Sequence, residues 1–586
     1  MATTVVPPGD AAPVAVSPPP GGAARAPARS WRTRFVLMVV AALLVGFALR
    51  VAIGLTDDAP ATDETAYLRS GISLVEGDGY QREGHPELHF PPFVPFLLGV
   101  AAEVTSDPHT GAVVLTCLAS TALIIPLALL GRRIAGPVGG IATAWVAALG
   151  PGLSTTLVNR GAGSEAEYTL LVVSALWLVV SAADRQGRAR AWRVFGAGLL
   201  VGLAYLTRPE GLFMALPLGV AVLVIAARRA GQPARLRRLD RRGLRAGAPL
   251  LAVFVLPIVA CIVPYAMYLH DHTGKWELSA KTQDASIEAW QAVARADREA
   301  RDSVLYALDD TGFGFAAGRS SLATLARDDP AGYLGIVRTN AGALATSIVN
   351  PVTNQWLSWL LLPLPLWGLA AFGAWRHRRS AVVRLLLAVG ALPVATALAF
   401  FVQPRYLIVA VALATPLVGA AIAALSTAWR RPVMLAVVAL LALSSVQAFH
   451  SEGAGWWHPS DHTDQREAGE WIAANTRPGE RVMTRSMVVD FYGERPTMAI
   501  PYASMNEILR YARHYGARYL VVDWYTAVRL RPQLEPLRTI DRIPGLRLAH
   551  EVRAEGRTTR IFALDPPPAS VGPIGSSLGF VGDGQS

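Results

Sequence analysis

Long apolar runs alternate with short polar segments along most of the chain. A helix needs about 20 apolar residues to cross the roughly 30 Å hydrocarbon layer of a bilayer. The runs reach or approach that length, and the pattern predicts eleven membrane-spanning helices. They lie at residues 35–56, 109–131, 137–158, 166–183, 193–207, 209–227, 247–270, 355–375, 381–402, 405–427 and 431–449.

The arginines give these helices a direction, because cytoplasmic loops of membrane proteins are enriched in Lys and Arg. If the N-terminus is cytoplasmic, every loop predicted inside contains at least two arginines. The short loops predicted outside contain only Arg160, Arg208 and Arg405. The sequence therefore predicts a multi-pass protein of the plasma membrane with a cytoplasmic N-terminus. Since the number of spans is odd, the C-terminal region is predicted on the extracytoplasmic side.

The segments at the two ends differ from the apolar runs in composition. The N-terminus is rich in Pro, Ala and Gly, and the region after the last span alternates helical patterns with strand-like runs such as RYLVVD. Such alternation predicts a small α/β domain with a partly parallel sheet. The predicted order is a disordered cytoplasmic tail at 1–30, a transmembrane module at 31–450 with external loops at 57–108 and 271–354, an extracytoplasmic α/β domain at 451–566 and a disordered tail at 567–586.

The overall composition agrees with a membrane protein. Charged residues make up 17% of the 586 residues, whereas soluble domains are about a quarter charged. The net charge of +11 comes largely from arginines in short loops between spans, so it indicates topology and not nucleic-acid binding. The two cysteines, Cys117 and Cys261, both lie in apolar runs, which excludes a disulfide framework.

Candidate chemistry begins in the first external loop, where five carboxylates follow the first span. Charges so close to hydrocarbon are costly unless they face water or take part in chemistry. The stretch ATDETAYLRSGISLVE (61–76) has a helical rhythm that places Asp63 and Tyr67 on one face, with Glu64 adjacent. One of the acids could take a proton from an acceptor hydroxyl. Alternatively, the loop is a solvated acidic segment in which Asp or Thr caps a helix.

Further polar residues are predicted on the same side of the membrane. Ser164 and Glu165 lie at the start of the fourth span, where they could be a plain N-cap and a partner of the helix dipole. Arg208 could pair with Glu210 at a simple turn, or it could hold a phosphate. Arg405 also lies at an outside end, where the charge bias disfavours arginine, so both arginines call for a functional explanation.

These motifs resemble a known family. Asp63-Glu64-x-x-Tyr67, followed by LVEGDGY and HFPPFVPFLLGV, resembles the first external loop of GT-C type membrane glycosyltransferases that use polyprenyl-phosphate sugars. That superfamily includes the protein O-mannosyltransferases and the lipid A aminoarabinose transferase of glycosyltransferase family 39. GSEAEYTLLVV, TRPEGLFMALPL and QPRYLIVAVALATPL are similar to its later spans, and EWIAANTRPGERVM with YLVVD to its external domains. The resemblance covers most of residues 35–565.

The resemblance implies a polytopic α-helical GT-C-like fold of about eleven transmembrane helices with a C-terminal extracytoplasmic α/β domain. It implies an inverting transfer of a hexosyl or pentosyl group from a polyprenyl-phosphate donor to a hydroxyl on a glycan, lipid or protein. Asp63 is the expected base, with Glu64 adjacent. Glu165 and Tyr67 are expected to position the acceptor or a metal ion. A divalent cation is compatible with these acids, although the sequence does not require one.

The resemblance also assigns residues to the donor phosphate. Arg208 and Arg405 match positions expected to hold it. Some members carry a Lys just before the Pro-Pro pair, where this chain has His89-Phe90, so His89 is included among the expected phosphate ligands.

Two other classes of protein fit the sequence less well. A transporter or flippase of a lipid-linked or small polar substrate would be expected to show paired inverted halves, interrupted helices and midplane charges. The sequence shows no internal repeat, and its charges cluster at one face. A sensor or assembly scaffold would explain the C-terminal domain but not the acidic first loop.

Overall fold

The computed structural model describes residues 28–56, 59–60, 63–82, 84–105, 107–154, 163–229, 241–280, 303, 306–308, 326–349, 362–400, 402, 404–452, 462–554 and 556–565. The acidic pair Asp57–Asp58, nearly all of both predicted tails and most of a charged, helical-looking segment at 287–310 lie outside these residues. Within them, a helical module is followed by a sheet-containing domain.

Helices build the membrane module. In chain order they are α1 (Ala28–Gly54), α2 (Asp63–Glu76), α3 (Phe93–Val104), α4 (Pro108–Ala122), α5 (Ile124–Leu149), α6 (Glu165–Ala182), α7 (Gly187–Thr207), α8 (Ala215–Arg229), α9 (Arg241–Thr273), α10 (Pro330–Val349), α11 (Leu364–Arg376), α12 (Ala381–Ala399), α13 (Ile408–Ala424) and α14 (Thr427–Glu452). A two-stranded ribbon of β1 (Gln81–Arg82) and β2 (His85–Pro86) joins α2 to α3. Short 3-10 turns, Pro209–Met214 and Pro404–Leu407, precede α8 and α13.

Eight helical segments of the described chain are long and apolar enough to cross a membrane. One of them, Pro108–Leu149, covers the predicted span 109–131 and residues 137–149 of the span predicted at 137–158. The chain leaves the helical conformation at Ala135 and Gly136 and reverses its direction there. The evidence for the reversal is that a Cβ on Gly140 would lie only 2.8 Å from the carbonyl oxygen of Ala128. In a straight helix these two residues would be about 18 Å apart. The other two predicted spans are 193–207, which corresponds to α7, and 355–375, whose described part contains most of α11 and whose residues 355–361 lie outside the described residues.

Helix α10 lies within the predicted external loop 271–354. Arg338 and Asn340 interrupt its apolar residues, so it lacks the continuous apolar run that predicts a span. The side-chain amide of Asn340 donates to the backbone carbonyl of Leu398 at 3.0 Å. This bond ties α10 to the C-terminal end of α12.

Helices α2 and α3 meet in backbone contact at two glycines. A Cβ on Gly71 would lie 2.0 Å from the carbonyl oxygen of Pro95, and a Cβ on Gly99 would lie 2.2 Å from that of Gly71. Only glycine permits so close an approach. Beside this contact lies a buried apolar group, called here the α2 cluster, which consists of Ala66, Tyr67, Leu68, Phe90, Val94, Leu98 and Ala112. The two helices therefore form one rigid unit.

Arg50 of α1 is completely buried between α1, α4 and α5. Its guanidinium donates to the hydroxyl of Ser120 and to the backbone carbonyls of Gly46, Ala147, Ala148 and Leu153, at 2.5 to 3.2 Å. Two of these carbonyls belong to the last turn of α5, where a helix leaves its own carbonyls unpaired. Arg50 thus closes the C-terminal end of α5.

The C-terminal domain contains a six-stranded mixed sheet flanked by helices, as predicted. Its helices are α15 (Thr463–Asn475), α16 (Met487–Gly493) and α17 (Met505–His514), and its strands are β3 (Arg481–Met483), β4 (Thr497–Met498), β5 (Ala517–Asp523), β6 (Arg542–Ile543), β7 (Leu546–Ala554) and β8 (Arg557–Leu564). The strand order is β4-β3-β5-β8-β7-β6. The first three strands are parallel, and the remaining pairs are antiparallel. Separate apolar clusters pack on the sheet.

Candidate active site

Two arginines and two carboxylates from distant parts of the chain meet at one end of the membrane module. Nη1 of Arg405 donates to Oδ2 of Asp63 at 3.1 Å, across 342 residues of sequence. Nε of Arg405 lies 3.7 Å from Oε1 of Glu165. Nη1 of Arg208 donates to the same Glu165 oxygen at 2.8 Å. Glu165 therefore bridges both arginines, and these four residues are called here the acid–arginine cluster.

The two arginines have further partners beside the cluster. Nε of Arg208 donates to Oε1 of Glu210 at 2.6 Å. The ring of Tyr406 lies 5.2 Å from the guanidinium of Arg208 and 5.4 Å from that of Arg405. Burial alone would lower the pKa of Arg208, but Glu210 and Glu165 raise it well above its usual value. The guanidinium is therefore a permanent positive charge.

Local sequence explains why these side chains converge. Asp63 and Glu165 both lie in the first turn of a helix, where the helix dipole favours a negative charge. Arg208 lies in an extended conformation between α7 and the turn that begins at Pro209, because proline cannot continue the preceding helix. Arg405 lies in a similar turn before α13. Short breaks between helices thus place these charges together at one end of the membrane module.

Exposure distinguishes the members of the cluster. The side chains of Arg208 and Glu165 are each 12% exposed, whereas that of Asp63 is 34% exposed. Asp63 is therefore the carboxylate of the cluster that an incoming molecule reaches most readily. The arginines line the same site and suit an anion, because guanidinium groups bind phosphate oxygens with two parallel hydrogen bonds.

Tyr67 and Ser164 connect α2 to the cluster. The Tyr67 hydroxyl lies 3.3 Å from Oγ of Ser164, which accepts a bond from Nη1 of Arg208 at 3.2 Å. Ser164 makes no side-chain capping bond to α6, so it is not the plain N-cap that the sequence left open. Burial raises the pKa of Tyr67, and the nearby charge of Asp63 adds to this effect. The phenol is therefore neutral.

The structure separates Glu64 from Asp63. The Glu64 side chain is fully buried, and its Oε1 lies 2.9 Å from Nδ1 of His109 at the start of α4. Successive residues of a helix point about 100° apart, so the neighbouring acids face different partners. Glu64 ties α2 to α4 and does not join the acid–arginine cluster. The sequence signals a helix start through Asp107 and Pro108, but it gives no indication that His109 pairs with Glu64.

His89 is linked to the cluster through aromatic rings. Its ring lies edge-on to Phe90 at 4.6 Å, and Phe90 lies 4.5 Å from the ring of Tyr67. The backbone N–H of His89 donates to Glu87 Oε1 at 2.8 Å. His89 thus belongs to the loop that packs on α2, and its expected contact with the donor phosphate stays a prediction.

Among the residues that the structure describes, no group of three or more His, Cys, Asp or Glu side chains is arranged to hold a metal ion. Within the cluster, the carboxylates of Asp63 and Glu165 face guanidinium groups. Both carboxylates are therefore engaged with arginines.

Comparison with known proteins identifies the fold. The oligosaccharyltransferase of Archaeoglobus fulgidus superposes with a TM-score of 0.53 at 16% sequence identity, over 83% of this chain and 68% of that one. The chain has the GT-C glycosyltransferase fold. AglB from the same organism, in complex with an inhibitory peptide and a dolichol-phosphate, has a TM-score of 0.53 at 15% identity, over 84% of this chain and 70% of that one. ArnT from Cupriavidus metallidurans, bound to undecaprenyl phosphate, is 16% identical over 92% of this chain and 98% of that one, with a TM-score of 0.40.

The sequence comparison agrees with the fold. Residues 89–239 match the family model described as dolichyl-phosphate-mannose-protein mannosyltransferase. No curated protein sequence matches the chain at a significant level. The predicted resemblance to GT-C membrane glycosyltransferases is confirmed, and the comparisons give no support to a transporter.

Proposed function

We propose that this membrane protein transfers a sugar from a polyprenyl-phosphate donor to a hydroxyl group, with inversion at the anomeric carbon. The observation that carries the proposal is the acid–arginine cluster, in which the most exposed carboxylate, Asp63, contacts Arg405, and Glu165 links Arg405 to a second positive charge, Arg208. Transfer from a sugar phosphate needs both: a base for the attacking hydroxyl, and cations for the phosphate that leaves.

In the proposed reaction, Asp63 takes the proton of the acceptor hydroxyl as its oxygen attacks the anomeric carbon. The bond from that carbon to the phosphate oxygen breaks, and the polyprenyl phosphate departs from the opposite face. Arg208 and Arg405 stabilise the negative charge that develops on the phosphate. Glu165 holds both guanidinium groups in place, and Tyr67 orients Ser164 beside Arg208.

The lipid nature of the donor is supported by the position of the cluster at the ends of apolar helices. A phosphate bound there leaves its hydrocarbon tail beside the membrane module. AglB, which shares the fold, has been solved with a dolichol-phosphate. The distribution of arginines between the predicted loops supports a site on the extracytoplasmic face. The acceptor is a hydroxyl of a glycan, lipid or protein.

Replacement of Asp63 by Asn tests the proposal. The protein, reconstituted in lipid, would be supplied with radiolabelled polyprenyl-phosphate sugars and cell-envelope fractions as acceptors. We expect the transfer rate of Asp63→Asn to fall at least about 100-fold, because general base catalysis contributes roughly 10²- to 10⁴-fold. Donor binding should persist, since the arginines remain.

Asp107→Asn is the matched control. Asp107 is another acid of the external region, where it caps α4 through the backbone N–H of Thr110 at 2.9 Å. Asn is an equally good N-cap, so this variant should transfer sugar at the wild-type rate. Wild-type transfer by Asp63→Asn would rule out Asp63 as the base.

A further inference from the structure

The C-terminal domain contacts the helix that carries Asp63. The Arg69 guanidinium of α2 donates to the backbone carbonyl of Asp490 and, at 3.5 Å, to that of Phe491. It also lies 3.6 Å from Oδ1 of Asp490. Both carbonyls belong to α16, so a side chain of the membrane module bonds directly to a helix of the C-terminal domain.

The contact has a defined role in local structure. Helix α16 ends at Gly493, and Glu494 follows in the left-handed conformation at φ 49°. The last four carbonyls of a helix lack partners within the helix, and a cation near this end is stabilising. Arg69 therefore caps a helix of the other domain.

An apolar contact accompanies the cap. Phe491 packs against the α2 cluster, which includes Tyr67 and Phe90. Tyr67 in turn contacts Ser164, the residue that accepts a bond from Arg208. A continuous set of contacts thus runs from the C-terminal domain to the acid–arginine cluster.

Helix α2 is held on two sides. Gly71 is in backbone contact with α3, and Arg69 lies roughly 160° around the helix from Gly71, where α16 packs. Asp63 is at the start of this helix, and its contact with Arg405 depends on where the helix lies. Loss of the α16 contact would leave α2 supported from one side only.

We propose that the C-terminal domain positions the active site, with Arg69 and Phe491 as positioning residues that hold α2 so that Asp63 meets Arg405. The inference rests on the proposed function, because it assigns Asp63 a catalytic role. It gives the domain a structural part in catalysis and does not require that the domain bind any ligand.

Arg69→Met tests the proposal, with Arg481→Met as the matched control. Arg481 also donates to a backbone carbonyl at the end of a helix, that of Tyr515 after α17 at 3.1 Å, but it does so within the C-terminal domain. We expect kcat of Arg69→Met to fall roughly 10- to 100-fold, because a misplacement of about 1 Å can cost 10²-fold. The KM for the donor should change by less than about threefold, because Arg208 and Arg405 are untouched. Arg69→Lys should recover part of the rate, because its ammonium can still donate to one carbonyl.

Hydrogen exchange of residues 63–76 gives a readout that does not depend on activity. We expect exchange in this segment to accelerate at least about tenfold in Arg69→Met and to stay at the wild-type rate in Arg481→Met. Unchanged kcat in Arg69→Met, or an equal loss in both variants, would overturn the positioning role. If the wild-type protein transfers no polyprenyl-linked sugar, the proposed function fails. The exchange rates still decide whether Arg69 holds α2.

Discussion

Gly71→Ala is the sharpest test of how α2 is placed. The added Cβ would lie 2.0 Å from the carbonyl oxygen of Pro95, and moving it to ordinary contact at 3.4 Å requires a displacement of about 1.4 Å. The obstacle is backbone, which cannot rotate away as a side chain can. Because Asp63 lies eight residues earlier, about 12 Å along the same helix, a rigid shift of α2 carries it away from Arg405.

Two consequences of different size follow for Gly71→Ala. Overpacking of a close contact costs about 1–3 kcal/mol in stability. A shift of more than 1 Å at the base is expected to lower kcat roughly 100-fold. Donor affinity should be nearly retained, because the bonds of Arg208 to Glu165 and Glu210 do not involve α2.

The assay combines thermal unfolding in detergent with transfer kinetics from a radiolabelled donor. Gly335→Ala in α10 is the control, since a Cβ there meets nothing within 4 Å. That variant should keep the wild-type kcat and be more stable by up to about 1 kcal/mol, because Ala is the better helix former. If Gly71→Ala matched Gly335→Ala in both measurements, the close packing of α2 on α3 would be refuted.

Two further predictions concern charge. Glu165→Gln removes a negative charge shared by Arg208 and Arg405, so the KM for the anionic donor should fall roughly 3- to 10-fold at low salt and less at high salt; a higher KM would contradict this. Asp464, buried in the C-terminal domain, has a pKa raised by burial despite the hydrogen bond from Thr559. Because the pKa of Asp464 is higher in the folded than in the unfolded protein, the free energy of unfolding decreases as pH rises from about 4, the unfolded-state pKa, through the folded-state pKa. Asp464→Asn should therefore unfold at a higher temperature than the wild type at pH 7 and nearly the same temperature at pH 3.5, whereas an equal shift at both pH values would disprove the titration.

Much of the membrane module could be predicted because its signals are local. Apolar length predicts spans, and even the reversal at Gly136 was implied by a break between two runs. Arg208 and Arg405 stood out because they oppose the charge bias of outside loops. Their common partner Glu165 could not be predicted, because local sequence patterns do not show which helix ends become neighbours when the helices pack.

Asp63 and Glu64 show what the local sequence pattern cannot predict. The helical pattern of 61–76 predicts that Asp63 and Tyr67 share a face, and both reach the region of Arg208 and Arg405. It cannot predict which of two adjacent acids faces the site, because that depends on where α4 packs. His109 provides the deciding contact by holding Glu64 in the interior. The contact of Arg69 with α16 depends in the same way on the docking of a separate domain.

The burial of Arg50 has a consequence for biosynthesis. Its partners at the end of α5 are translated about 98 residues later, which takes roughly 5–20 s at ordinary elongation rates. Until then, α1 enters the bilayer with a guanidinium that has only one of these acceptors in place, the Gly46 carbonyl of α1 itself. A long side chain near a helix end can extend to the lipid headgroups in the meantime. We therefore expect α1 to settle at its final depth only after α4 and α5 have been inserted, although it is made before both of them.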